Sequence, residues 1–258
     1  MTKEHIWPDW LGNMFLKTGK EKHTFGSITE QEFKKLSDDT FERSGHLTSL
    51  KLRVVCADCN NTWMSRVEAK VKPLLLDLIG TRSINLDATR QELLARWIAM
   101  KVITGEHGER KQDIHVTPTA DRLRLRSNAE IPPYFSIYLG WQTTEHNSAW
   151  VRQSWTMAFS SEGPSPKLEG RSKNCQTVSI LFGPLMVFVL TVRLDDFRAE
   201  EFFRFGSLAQ IWPRKNETIA WPPMRPLTRT EMSKVAWISD ELKRGPNVRH
   251  IGELPPNA

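Results

Sequence analysis

Val54-Val55-Cys56-Ala57-Asp58-Cys59-Asn60-Asn61-Thr62-Trp63 is the stretch from which the reading of this chain proceeds. Upstream, Leu50-Lys51-Leu52-Arg53 alternates apolar and polar residues and then runs into two valines, which is the pattern of a strand. Downstream, Trp63, Val67 and Val71 recur every four residues, which predicts a helix that Pro73 ends or kinks. Strand, C-x-x-C knuckle and helix therefore follow one another without a gap. Further upstream stands Glu4-His5-Ile6-Trp7-Pro8-Asp9-Trp10-Leu11, a short apolar segment headed by an acid–histidine pair. Between the two, Ser27-Ile28-Thr29-Glu30 has the form of a capping box and predicts a short helix to about Leu36.

Leu74-Leu75-Leu76 and Leu78-Ile79 predict a short apolar helix stopping at Gly80. Asp87 is placed to cap a longer one carrying Leu93, Leu94, Trp97, Ile98, Lys101 and Val102, with Gly105 as its stop. From Asp113 onward the pattern changes to strands and turns. Strands are expected over 134–141, 149–159, 176–182, 185–194 and 207–212, with Gly183-Pro184 at a hairpin turn. Trp221-Pro222-Pro223 reads as a rigid extended segment, and Thr228-Arg229-Thr230-Glu231 as a second capping box opening a helix to about Arg244. The fold class is α+β. The expected division is 1–72, a helical segment 73–110, and an α+β region 111–258 of unassigned role.

The 258 residues are 39% hydrophobic and 26% charged, enough for a sizeable core. The formal charge of +6, with a pI near 9.3, is compatible with a polyanionic partner. Three cysteines (Cys56, Cys59 and Cys175) argue against a disulfide framework and for a reducing compartment. The most apolar run, Val178 to Leu190, is too short to span a bilayer and is broken by Gly183-Pro184. With no basic segment and apolar stretch at the start, a cytoplasmic protein without membrane contact is expected.

Hydrolysis of a phosphodiester needs an activated water, neutralised phosphoryl oxygens and a stabilised leaving oxygen. A histidine can supply the first and one divalent metal the other two. His5 can accept a proton near neutral pH. Glu4 and Asn60 offer hard oxygen donors, which suit Mg2+ or Mn2+ better than zinc. Neighbours on a regular strand point to opposite faces, so Glu4 and His5 can share a cavity only if the strand ends or bulges there.

Glu4-His5-Ile6-Trp7-Pro8-Asp9-Trp10-Leu11 together with Val54-Val55-Cys56-x-x-Cys59-Asn60-x-x-Trp63-Met64-Ser65 resembles the HNH endonucleases of the ββα-metal class. The closest likeness is to the bacterial and phage subgroup with E-H-I-x-P-x-W-L and C-x-x-C-N-x-x-W motifs. The resemblance covers roughly the first 72 residues and implies an N-terminal ββα-metal unit. It also implies roles: Glu4 as the acidic metal ligand, His5 as the general base, Asn60 as the second metal ligand. The later Ala209-Gln210-Ile211-Trp212-Pro213 and Trp221-Pro222-Pro223 are similar to that subgroup too.

The sequence departs from the family pattern at two places. Many members carry another C-x-x-C just before the acid–histidine pair, where this chain has Met1-Thr2-Lys3. Two thiolates do not close a tetrahedral zinc site, so Cys56 and Cys59 form an incomplete structural Zn2+ pair. The position of the family's middle asparagine is Lys51.

The expected function is metal-dependent cleavage of DNA. The alternative is a catalytically inactive HNH-derived DNA-binding or scaffold module, such as a regulated phage-defence component. Composition and motifs assign no nucleic-acid-binding residue and no oligomeric state. Most of the ten tryptophans, Trp10 and Trp63 among them, are expected in the core. Glu68 and the pair Glu106-His107 are expected to face solvent. Arg122, Arg124 and Arg126 alternate like one face of a strand.

Overall fold

The structure is a computed structural model that describes residues 2–12, 14, 22–25, 41–44, 51–108, 115–143, 148–155, 157–159, 173–194, 207–215, 217–223, 225–236, 238 and 248–250. The helix expected from Ser27 lies outside them. In chain order the elements are β1 (Thr2–His5), α1 (Asp9–Gly12), β2 (Lys22–Phe25), β3 (Phe41–Ser44), β4 (Lys51–Val55) and α2 (Ala57–Cys59). A π-helical turn, Asn60–Met64, leads into α3 (Ser65–Ile79). Then come β5 (Ile84–Leu86), α4 (Ala88–Gly105), a 3-10 turn at Glu106–Gly108 and α5 (Thr119–Asn128). The remainder holds β6 (Phe135–Trp141), β7 (Ser148–Trp155), β8 (Met157–Phe159), β9 (Cys175–Phe182) and β10 (Leu185–Val192). It closes with β11 (Ala209–Trp212), β12 (Ile219–Trp221), α6 (Arg229–Ala236) and β13 (Val248–His250). The protein is α+β.

A five-stranded antiparallel sheet in the order β11-β6-β10-β9-β7 forms the frame. Every residue of β10 is buried, and its alternation separates two cores. Leu185, Val187 and Val189 join the larger core, with Val71, Leu75 and Leu78 of α3 and Leu94, Trp97 and Ile98 of α4. Met186, Phe188, Leu190 and Val192 face the smaller core, with Leu227, Val235 and Ile238. The α3–α4 pair thus covers one face of the sheet and α6 the other, as a central strand buried on both sides requires. The larger core also takes in Ile6, Trp7, Leu11 and Leu52, so the N-terminal segment packs on the same sheet.

Local signals set most boundaries. Asp87 caps α4, its carboxylate accepting from the Arg90 amide at 2.8 Å. Thr228 and Glu231 form a reciprocal capping box, with the Glu231 amide 3.2 Å from Thr228 Oγ1 and the Thr228 amide 2.9 Å from Glu231 Oε2. Gly183, at φ 55°, turns β9 into β10.

One open alternative is decided and one expectation is corrected. Pro73 does not end the helix, and α3 runs through it to Ile79, across the expected boundary at 72/73. An interior proline costs about 3 kcal/mol. Burying a leucine or isoleucine side chain returns about 1.5–3 kcal/mol, and Leu74, Leu75, Leu78 and Ile79 are all buried beyond it. Arg122, Arg124 and Arg126 lie on the helix α5, not on a strand. Five residues of arginine–leucine alternation fit either period, and Ala, Leu and Arg are strong helix formers. Trp221, read only as part of an extended segment, ends a strand that pairs with β5.

Candidate functional site

The chain start folds back on the strand that enters the knuckle. β1 pairs antiparallel with β4, matching Thr2 with Val55, Glu4 with Leu52 and His5 with Lys51. The register shifts between the first two pairs, and β1 ends at His5. The acid–histidine pair therefore sits where a strand stops, so strict alternation of faces no longer constrains it. What pins this end is Trp7, fully buried, with its ring 4.6 Å from Phe182, 5.0 Å from Trp150 and 6.5 Å from Trp97 between centroids. The second of these contacts and the first are edge-on, a favoured aromatic geometry. His5 is half-buried two residues earlier, while the Glu4 side chain lies outside the described residues.

The knuckle is a helix start. Cys56 is the N-cap of α2, and its Sγ accepts from the Cys59 amide at 3.1 Å. That hydrogen bonding lowers the Cys56 thiol pKa, whereas burial raises that of Cys59. Asn60 follows at once, its amide donating to the Cys56 carbonyl at 3.0 Å. Among the described residues its half-buried side chain makes no hydrogen bond. The Asn60 carbonyl accepts from the Ser65 amide, five residues on, so the chain from Asn60 to Met64 winds wider than an α-helix. Such π turns recur at functional sites because they re-aim side chains. No sequence pattern announced this one.

A charged pair, of which the sequence reading left Glu68 to solvent, lies against His5. The Lys101 side chain is fully buried; its Nζ is 2.6 Å from Glu68 Oε1 and 3.2 Å from the His5 carbonyl oxygen, to which it donates. Glu68 is therefore half-buried and ion-paired, a correction to the expected solvated charge. α3 brings it there because Val67 and Val71 turn the neighbouring face into the core. The available signal was Lys101, a charge set inside the apolar stripe of α4. Among the described residues no hydrogen bond joins His5 to Asn60, which stands about two helical turns before Glu68 on the same run.

Glu106-His107 is likewise not an exposed loop. The Glu106 carboxylate is wholly buried and accepts from Thr117 Oγ1 at 2.7 Å, the Thr117 amide at 3.2 Å and Gln176 Nε2 at 2.6 Å, with Arg122 Nη2 at 3.4 Å. Arg122 Nη1 also lies 2.7 Å from His107 Nε2, which must accept because a guanidinium only donates. Burial, with His115, Arg122 and Arg152 nearby, lowers the His107 pKa to about 4. This network ties α5 to β9 and is satisfied from within.

As residue types, a carboxylate, an amide oxygen and an imidazole are donors that suit a hard cation, and among the described residues the Asn60 side chain is not engaged elsewhere. Among the described residues no three His, Cys, Asp or Glu side chains gather to hold a metal. Cys56 and Cys59, both free thiols, thus have no third zinc ligand there. No helix among the described residues is long and apolar enough to cross a membrane. No family model, curated protein or solved structure matches the chain.

Proposed function

We propose that the chain is a metal-dependent, HNH-type DNA endonuclease acting in the cytoplasm. One observation carries this reading: the strand that bears Glu4 and His5 pairs antiparallel with the strand that runs directly into Cys56-x-x-Cys59-Asn60. Strand, strand and helix then follow in the order that the resemblance implies.

In this reading His5 takes the proton from the attacking water, the task for which an imidazole is suited near pH 7. Glu4 and Asn60 would hold a Mg2+ or Mn2+ ion. When bound, such an ion stabilises negative charge on the phosphate and on the departing oxygen. Lys101 holds the His5 backbone through its carbonyl, and Glu68 fixes Lys101. Trp7 keeps the whole segment against the sheet. A second reading, a non-cutting DNA-binding module, is favoured by the lack of a third ligand for the thiol pair among the described residues.

Plasmid nicking in Mg2+ or Mn2+ separates the two. Loss of general-base catalysis costs about 10²–10⁴-fold, so His5→Ala should reduce nicking by at least ~100-fold while DNA binding persists. Equal nicking by wild type and His5→Ala would overturn the assignment of the base. Binding without cleavage by either protein favours the module.

A further inference from the structure

The faces of α3 and α4 that turn away from the Glu68–Lys101 pair line an open groove of about 500 Å3, to which α5 contributes Arg126. Its walls combine Trp63, Val67 and Leu93 with the cations Arg66, Lys70, Arg96 and Arg126; Glu92 is its one carboxylate. Three separate helices thus send basic side chains into one hollow.

Of the four cations, one is ion-paired among the described residues. Arg126 is paired with Asp58 at 3.0 Å. Among the described residues, Arg66, Lys70 and Arg96 have no carboxylate within ion-pair distance. Arg66 donates to the Thr62 carbonyl at 3.2 Å, and the Arg96 guanidinium lies 5.9 Å from the Trp63 ring centroid. Arg96 Nε is buried and has no hydrogen-bond partner among the described residues. A desolvated donor without a partner costs free energy that an incoming anion would recover. Burial also lowers the Arg96 pKa from the ordinary arginine value, although the group stays charged at neutral pH.

The size and the mixture of walls narrow the ligand. Pockets of about 300–1,000 Å3 accept small-molecule-sized ligands. Guanidinium and ammonium groups match phosphate oxygens, and a tryptophan with aliphatic neighbours suits the flat ring of a base. We propose that this groove is a nucleotide-binding site in which Arg66, Lys70 and Arg96 take a phosphate, whether of a free nucleotide or of a nucleic-acid strand. The site does not depend on cleavage, and it stands whether or not His5 acts as a base.

The test is fluorescence anisotropy of the full chain with a short fluorescein-labelled single-stranded DNA. It is run in EDTA so that no cutting occurs, and with adenosine 5′-monophosphate as competitor. Arg66→Ala/Lys70→Ala removes two exposed cations of the groove. Arg229→Ala/Lys234→Ala removes two exposed cations on α6, across the sheet. At about 0.7 counterions per phosphate contact for single strands, the groove variant should lower the slope of log K against log salt by about 1.4 and weaken binding on the order of tenfold. The α6 variant should bind as wild type does. Displacement of the strand by the mononucleotide identifies the free nucleotide as a ligand; no displacement identifies the strand. The proposal is overturned if neither probe binds, or if both double variants behave alike. Failure of the nuclease reading would appear separately, as nicking that is indifferent to His5→Ala.

Discussion

Lys101→Met is the most informative single change for the fold around His5. The lysine side chain is 0% exposed and its ammonium sits 2.6 Å from a Glu68 carboxylate oxygen, while the Glu68 side chain is 26% exposed. Removing one partner of a buried ion pair costs about 3–5 kcal/mol, chiefly because the other charge is left buried. Partial hydration of Glu68 places the cost at the lower end, about 3 kcal/mol. Methionine keeps the length and apolar stem of lysine, so little of the loss is a cavity. For a chain of this size about 1 kcal/mol moves Tm by roughly 2–4 °C, so Tm should fall by about 6–12 °C. Thermal unfolding followed by circular dichroism reads this directly. Adding Glu68→Leu to Lys101→Met removes the stranded carboxylate and should recover part of the loss. The His5 carbonyl also loses its donor, so amide exchange along β1 should quicken. A Tm within about 2 °C of wild type, with no gain from the second substitution, would refute the claim that this pair ties α3 to α4.

His107 should titrate near pH 4 by NMR, since burial and the surrounding cations hold it neutral. Its folded pKa lies below the unfolded value of about 6.5, so the unfolded chain binds the extra proton between the two. Its contribution to stability is present above about pH 6.5 and is lost as pH falls toward 4. The urea midpoint of wild type should therefore fall more steeply over that window than that of His107→Gln, and parallel curves would contradict the assignment. Gly105→Ala should destabilise by about 1–3 kcal/mol despite better helix propensity, because the new Cβ would stand 2.6 Å from the Trp150 ring, itself packed on Trp7. Gly140→Ala meets Leu227 Cδ1 at 2.5 Å and Leu208 Cδ2 at 2.6 Å, the ends of flexible side chains, and should cost less. Denaturant unfolding of the two variants gives the order, and a larger loss at Gly140 would overturn it.

The elements that were legible in the sequence are those decided by neighbours along the chain. β4, α4, β6, β9 and β10 follow from period and from caps such as Asp87 and Gly183, whose partners lie within a few residues. α5 was misread because Arg122 to Arg126 is too short to separate a period of two from one of 3.6. Whether Pro73 ends the helix was left open because the local rule is set against burial that only the assembled core supplies.

The sequence by itself determined the α+β class and the strand–knuckle–helix order around Cys56 and Asn60, and it named Glu4, His5 and Asn60 as candidates. The tertiary structure decided what those residues meet. It laid β1 along β4, buried Lys101 against Glu68 beneath His5, joined Glu106 to Gln176 seventy residues away, and drew Arg66, Lys70 and Arg96 around one hollow. The physical reason is range: turns and helices are settled by short loops and backbone sterics. Whether a charge is solvated, paired or stranded depends on which distant surfaces the core brings together.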